Sequence, residues 1–566
     1  MITNLSQSVW DNWEDHAKNF PESEAIVHWD ALAEPFRWSY GNLLNEALKI
    51  ADNLIRQGVD SGDVCALIIR HNKYFYPIYM GIVAIGAIPA VLAYPNARLH
   101  PDKFIYGLSG IAQKSGLSWV MTERELEPTI KPLVLNKQNS IKGILLPLES
   151  IDDEQTRKFS HKIIEKKRDN VTASSPFLLQ HSSGTTGLQK AVVLSHRAVL
   201  EHTVRYSEAI KLTSKDKVIS WLPLYHDMGL IAAFHLPLIF GIPSIQIDPF
   251  QWVSAPAIFL QAISEEKPTL TWLPNFAYNF MADRIPEEEM ENVNLSSIRM
   301  FINCSEVICA ESHEKFFNRF QKYKVKKQSL SACYAMAETT FAVTQTESGF
   351  EATSLLVDRN ALAKEIIRSP QNKFSKKICV SSGKPISGCS LKIVNKNGDP
   401  LPEDCVGKIA IKSISLFDGY RNNPEKTNLV LKDGWYLSGD LGFCHKGEYF
   451  VIGREDDVII VAGNNIYPED IEDAMSKIAG VTPGRVIAFG AYDSQTGTED
   501  VYVIAETSYE AEKEKDSLVL AIKEAGMGID VTISKVLLVP PRWLIKSSSG
   551  KPSRKANKER ILTDTI

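Results

Sequence analysis

The chain has 566 residues, 63 Lys+Arg against 68 Asp+Glu, 44% hydrophobic and 23% charged residues; the length suits about three to five folding units and the composition excludes a disordered protein. A formal net charge of −5 gives no electrostatic reason to expect nucleic acid as a partner. The 8 Cys form no C-x-x-C pair and fit scattered reduced thiols; Cys304, Cys309 and His313, the nearest approach to a zinc cluster, need a further ligand from elsewhere.

Residues 1–18 carry Asp11, Glu14 and Asp15 without an apolar core, so export is not expected. Ser39 is placed to cap a helix whose apolar positions (Leu43, Leu44, Ala47, Leu48, Ala51, Leu54, Ile55) recur every three or four residues, with Gly58 just beyond its end. Residues 64–69 read as a short buried strand. The uncharged stretch 74–97 imitates a membrane span, but Pro77, Gly81, Gly86, Pro89 and Pro95 interrupt it. A buried helix over 76–85 turning into a buried strand over 87–93 is expected instead, hence a cytoplasmic protein with no integral membrane association. Residues 152–170 are polar and highly charged and read as a solvated connector. Further strands are expected at 175–179, 217–221, 244–247 and 299–302, an alternation that predicts α/β layers with mostly parallel sheets. From Cys389 the strands shorten (390–393, 407–411, 449–452). The last hundred residues read as a separate α+β unit: helix 468–477, strands 485–489 and 501–504, helix 510–525, strand 534–539. A break at 453–457 divides the two parts.

The strongest local motif is Ser182-Ser183-Gly184-Thr185-Thr186-Gly187-Leu188-Gln189-Lys190, directly after a strand. Its glycines let consecutive N–H groups converge on phosphate oxygens, and its hydroxyls and Lys190 add donors and a positive charge. It lacks the spacing of a Walker A loop, and a plain polar strand-to-helix turn is the alternative. Downstream, in order, stand a segment from Trp221 through His226 to Gly229, then Tyr334-Ala335-Met336-Ala337-Glu338, Gly434 through Asp440 to Gly442, Gly453-Arg454-Glu455-Asp456-Asp457, and Ser549-Gly550-Lys551-Pro552-Ser553-Arg554. Singly each reads as a core histidine, a surface charge, a turn or a basic tail. Together and in this order they are a specific signature.

This ordered set resembles the adenylate-forming superfamily of acyl-CoA synthetases, luciferases and peptide-synthetase adenylation domains, over nearly the whole chain. It looks most like a fatty acyl-AMP ligase, on Leu179-Gln180, the segment Trp221 to Ile231, Pro274 to Tyr278, and the long stretch 341–382, which far exceeds the usual ~4–6-residue connection. Acyl-AMP ligases carry an insertion there, packed on the N-terminal domain. The resemblance implies a large N-terminal domain (1–453) with two α/β layered subdomains and a small β-barrel-like subdomain, plus a small mobile α+β C-terminal domain (454–566).

It also implies an enzyme that activates a fatty acid carboxylate with ATP, giving acyl-AMP and pyrophosphate, then passes the acyl group to the phosphopantetheine thiol of an acyl carrier protein supplied in trans. A fatty carboxyl, of reference pKa near ~4, is already ionised at neutral pH, so positioning and positive charge do the work rather than a general base. The implied roles follow residue by residue. Ser182, Ser183, Gly184, Thr185, Thr186, Gly187 and Lys190 hold the β- and γ-phosphates; Ser305, Ala335 and Met336 border the nucleotide and Tyr334 stacks on adenine. Asp440 takes the ribose hydroxyls with Arg454 assisting, Glu338 binds Mg²⁺, and His226 lies beside the acyl carboxylate. Lys551 bridges carboxylate and α-phosphate, Asp456 is the hinge, and Trp221, Met228, Phe276 and Tyr278 line the acyl pocket or are ordinary core. The chain departs from the family at Gln189, Ala191, Cys304 to Val307, Ala335 and Ser438. An acyl-CoA ligase, another acid-activating ligase and a catalytically silent adenylate-binding module are the competing readings.

Overall fold

The structure, a computed structural model, describes residues 8–31, 33–95, 101–135, 140–151, 160–182, 190–371, 375–461, 464–493, 498–546 and 552–563. The helix expected after Ser39 is Tyr40–Arg56. The Ser39 hydroxyl accepts the Asn42 N–H at 3.3 Å, its apolar face is buried, and Gly58 follows at φ 92°. The strand Val64–Ile68 is buried throughout, as an apolar run in a parallel sheet must be. The uncharged stretch folds as the buried helix Phe75–Ala84 and the strand Ile88–Val91. Among the described residues no helix is long and apolar enough to cross a membrane.

Two sheets form the α/β layers. A nine-stranded sheet runs from Lys384–Pro385 through Ala342–Gln345, Leu330–Ala335, Met300–Asn303, Leu270–Leu273, Val218–Ser220, Ser244–Ile247 and Glu24–Asp30 to Ala33–Ser39. Its interior pairs are parallel and its ends antiparallel. A four-stranded, all-parallel sheet orders Ile88–Val91, Val64–Ile68, Trp119–Thr122 and Gly143–Leu145. A third, antiparallel sheet of five strands (Cys389–Val394, Gly407–Ser413, Trp435–His445, Leu431–Lys432, Glu448–Arg454) forms a half-barrel where a barrel-like subdomain is expected. Beyond it, the three-stranded sheet Val486–Asp493, Thr498–Glu506, Ile533–Val539 packs with the helices Pro468–Ser476 and Glu512–Met527 around its own core.

Two differences from expectation have local causes. The polar stretch 152–170 is not all connector: His161–Arg168 is helical, with Ile164 buried and the Arg168 guanidinium donating to the Ala84 carbonyl at 2.7 Å. One apolar anchor is too sparse to show a 3.6-residue period; residues 152–159 lie outside the described set. The Ser182–Lys190 motif is not the strand-to-helix turn of the alternative reading. It joins the antiparallel strands Pro176–Ser182 and Lys190–Ser195, whose pairing closes with Ser182 opposite Lys190.

The stretch 341–382 has structure of its own. Ala342–Gln345 extends the large sheet, and Ser354–Asp358 with Lys376–Val380 forms a separate two-stranded sheet. The buried side chains Val357, Leu362 and Cys379 pack on Phe443, Phe450 and Ile452 of the half-barrel. The same sheet also reaches the C-terminal part, with Lys377 Nζ 2.6 Å from Asp470 Oδ1.

Candidate active site

Among the described motif residues, Tyr334, Glu338, Asp440 and Arg454 converge where the nine-stranded sheet meets the half-barrel. Leu330–Ala335 delivers Tyr334, and the next turn, Ala337–Thr339, delivers Glu338. That turn ends on Thr340 at φ 69°, ψ −51°. A β-branched residue in this region costs on the order of 1–3 kcal/mol and persists only where its surroundings over-determine it. They do here: Thr340 N–H donates to the Ala337 carbonyl at 3.0 Å and its hydroxyl to the Ser415 carbonyl at 2.9 Å. The strain is therefore tied to the placement of Glu338.

Cross-strand register sets the position of Asp440. Asp440 on Trp435–His445 lies opposite Arg454 on Glu448–Arg454, and Arg454 Nε is 3.1 Å from Asp440 Oδ1. The Tyr334 hydroxyl donates to Asp440 Oδ2. The adjacent Asp440 carboxylate raises the Arg454 guanidinium above its ordinary range, and burial together with the same carboxylate raises the Tyr334 phenol. Arg454 therefore stays cationic and Tyr334 stays a donor.

A second cluster is built on the other strand system. Tyr420 on the strand Gly419–Tyr420 pairs with Val192, and its hydroxyl donates to Glu338 Oε1 at 2.7 Å. Lys190 Nζ lies 5.2 Å from the Tyr420 ring centroid. Burial pulls the Lys190 ammonium below its ordinary value; Glu338 pulls it back up, while Lys426 and Arg454 push it down. Lys190 thus feels the charge of Glu338, Lys426 and Arg454 together, a setting that suits a bound polyanion.

The remaining expected residues fall in three groups. Ser183 to Gly187 and Lys551 lie outside the described residues, and for Ser182 only the backbone is described. Ser305 stands just past the strand Met300–Asn303 at φ 74°, with its hydroxyl 3.9 Å from the sulfur of Met228. Ala335 sits at an irregularity in the ladder with Ala342–Gln345, and the Met336 N–H donates to the Phe341 carbonyl at 3.0 Å. His226 is positioned through its neighbour: buried Gln180, on the strand entering the phosphate loop, donates to the Tyr225 carbonyl at 2.9 Å.

Of the expected acyl-pocket residues, Trp221 stacks on Trp252 with ring centroids 3.6 Å apart, and Phe276, 42% exposed, lies edge-on to both. Tyr278 is two residues further along the same helix, rotated by roughly 200°, and is fully buried against His313 and Phe316. Met228 and Gly229 open a π-helical segment, Met228–His235, in which a Cβ on Gly229 would fall on the Pro223 carbonyl oxygen. Gly229→Ala is therefore expected to destabilise the protein by about 1–3 kcal/mol, measured by denaturant unfolding; unchanged stability would show that this segment relaxes freely.

Cys304, Cys309 and His313 do not assemble into a metal site, since His313 Nε2 is bonded to the Asn303 amide at 3.0 Å. Among the described residues the one group with ligand spacing is Cys309, Glu311 and Asp473, and Lys477 already neutralises it, at 2.6 Å from Glu311 and 2.9 Å from Asp473. The contributors that sequence reasoning missed are Tyr420 and Lys426. Neither carries a motif signal, and Tyr420 reaches Glu338 only through the fold.

Comparison with known proteins gives a consistent picture. The family model described as AMP-binding enzyme matches residues 13–421. The medium-chain-fatty-acid–[acyl-carrier-protein] ligase JamA of Moorena producens is 29% identical, over 93% of this chain and 90% of its own. The "Probable long-chain-fatty-acid–AMP ligase FadD30" of Mycobacterium tuberculosis is 27% identical over 97% of both. Among solved structures, the fatty acid AMP ligase from Legionella pneumophila superposes with a TM-score of 0.74 at 26% identity, covering 100% of this chain and 97% of that one. A structure from work on fatty acyl-adenylate ligases of E. coli and L. pneumophila reaches a TM-score of 0.89 at 24% identity, covering 99% and 98%.

Proposed function

Because the chain belongs to the AMP-binding enzyme family and is a ligase of the adenylate-forming kind, we propose that it activates a fatty acid as acyl-AMP and hands the acyl group to the phosphopantetheine thiol of an acyl carrier protein. The observation that carries the first half is the convergence of Lys190, Glu338, Tyr334, Asp440 and Arg454 at one sheet junction. The second half is supported by JamA, which is named as an acyl-carrier-protein ligase.

In this reading a fatty carboxylate attacks the α-phosphorus of ATP and pyrophosphate leaves. Both partners are anions, so the site must supply positive charge that is already in place. Lys190 and the Ser182–Gly187 segment take the outgoing phosphates, Asp440 with Arg454 holds the ribose, and Tyr334 orients the base. Lys551 neutralises the carboxylate and α-phosphate as they meet, with His226 on the acyl side. Glu338 fits Mg²⁺, which takes oxygen ligands and is often held by one or two carboxylates plus substrate phosphates. The ion would neutralise phosphate charge. Tyr420, by holding Oε1, fixes the carboxylate's orientation.

We place the hinge at Asp456, in the single turn Glu455–Asp457 between the half-barrel strand Glu448–Arg454 and the strand Ile459–Val461. Such a turn is where backbone rotation is absorbed in a domain swing. Asp456→Pro is expected to slow one half-reaction about tenfold or more relative to the other, read by separate assays of pyrophosphate exchange and acyl transfer. Equal losses would remove the hinge assignment.

The function is tested by ATP–pyrophosphate exchange across a panel of fatty, aryl and amino acids, followed by acyl transfer to CoA and to carrier proteins. Exchange with fatty acids and transfer to a carrier protein is the expected result. Exchange confined to amino or aryl acids would overturn the substrate, and efficient acyl-CoA formation would overturn the acceptor.

A further inference from the structure

Arg554 stands three residues beyond Lys551 and opens the helix Arg554–Thr563. Its Nη1 lies 2.6 Å from Asp457 Oδ2 and 2.8 Å from Glu469 Oε1, its Nη2 2.7 Å from Glu472 Oε2, and its Nε 2.8 Å from Glu472 Oε1. Asp457 belongs to the turn that contains Asp456, whereas Glu469 and Glu472 lie on the helix Pro468–Ser476. One guanidinium therefore joins three separate pieces of chain. The flanks of residues 547–551 are also tied together. Lys546 bridges Pro552, the Ser553 N–H donates to the Ile545 carbonyl at 3.0 Å, and the fully buried Asn557 amide bonds the Ile545 N–H and carbonyl and the Ser553 carbonyl at 2.7–2.9 Å.

Three carboxylates gathered on one cation are a costly way to gain stability, since an ion cluster shielded from water is commonly no better than apolar packing. What the cluster does provide is directional restraint, because a planar fork with five donors fixes angles as well as distances. Burial raises the Glu469 carboxyl to about 7 against the pull of Arg554, with Glu472 and Asp457 adding to the rise, so its charge depends on the guanidinium staying in place.

We propose that Arg554 is a positioning residue for Lys551: it locks the base of the Lys551 segment to the hinge turn, so that the placement of the ammonium follows the orientation of the hinge. This rests on the reading of Lys551 as the group that assists adenylation.

The test is a double-mutant cycle on the full chain, with R554A, K551A and the double variant assayed by ATP–pyrophosphate exchange with a fatty acid, alongside thermal unfolding. R554A is expected to lower kcat about tenfold or more with the KM for ATP changed less than about twofold. It should remove nothing further in the K551A background, as residues acting as a unit do, and R554K should restore part of the rate. Wild-type kcat in R554A, losses that multiply in the double variant, or a loss confined to KM would each overturn the proposal. K551A exchanging at the wild-type rate would instead show that the reading of Lys551 had failed. Should R554A not fold, D457N keeps Glu469 and Glu472 on the guanidinium and is expected to give a smaller loss, again in kcat alone; no loss would overturn the coupling.

Discussion

Lys551→Ala is expected to lower the rate of acyl-adenylate formation by about 10²–10³-fold, the usual consequence of removing one preorganised donor to a developing charge, with the unfolding midpoint unchanged. The reasoning is electrostatic. In the proposed reaction two anions must approach within bonding distance, and the cations Lys190 and Arg454 stand at the ends expected to take the phosphates and the ribose. Lys551 is the group assigned to the point where carboxylate and α-phosphate meet. The chain beyond it is anchored by Asn557 and Arg554, and truncating the Lys551 side chain leaves those anchors intact. Pyrophosphate exchange reports the adenylation rate and circular dichroism the fold. Retention of more than about a third of the exchange rate would remove Lys551 from the mechanism, and a collapsed thermal transition would recast it as structural.

Asp440→Ala should act on ATP affinity and, to a lesser degree, on stability. A carboxylate accepting hydrogen bonds from ribose hydroxyls contributes roughly 1.5–3 kcal/mol, so a rise of about 10–10²-fold in the KM for ATP is expected. The same substitution strips the Tyr334 hydroxyl of its acceptor and Arg454 of its ion pair. A buried donor left unsatisfied costs about 1–3 kcal/mol. Steady-state kinetics with ATP varied, together with urea unfolding, separates the two effects. A variant that lost stability while its KM for ATP held steady would assign Asp440 to the fold alone. Asp440→Asn, which keeps the shape and loses the charge, should recover stability before it recovers affinity.

Much of this site was legible in the sequence because its charged groups sit in motifs of fixed spacing. Tyr334 and Glu338 are separated by one strand end and one turn, and Asp440 and Arg454 occupy facing positions of one hairpin. The helix Tyr40–Arg56 was legible for a different reason, namely a capping serine, an apolar stripe and a terminal glycine acting together. What escaped was set by tertiary contact. Tyr420 has no periodicity or motif to mark it, and its role appears only when the strand Gly419–Tyr420 is laid beside Lys190–Ser195. The helix His161–Arg168 hides behind its charges, since Ile164 is its one buried apolar residue. The composition of the Ser182–Lys190 motif marks it as a candidate phosphate loop but leaves its junction open, which the pairing of Ser182 with Lys190 shows to be between two antiparallel strands. The π-helical turn at Met228–His235 depends on hydrogen-bond register, to which hydrophobic spacing is blind.

The division of the site between two strand systems has a consequence for the order of events. Asp440 and Arg454 ride on the half-barrel, whereas Lys190 and Tyr420 ride on a different, three-stranded sheet made of Gly419–Tyr420, Lys190–Ser195 and Pro176–Ser182. A nucleoside triphosphate seated across both would act as a rivet between them. In the proposed reaction, once the terminal two phosphates depart the rivet is cut at one end only: the adenylate would stay held by its sugar, and Lys190 would lose its anionic partner. Cleavage of a single bond would thus undo the cross-link while leaving the adenylate tethered.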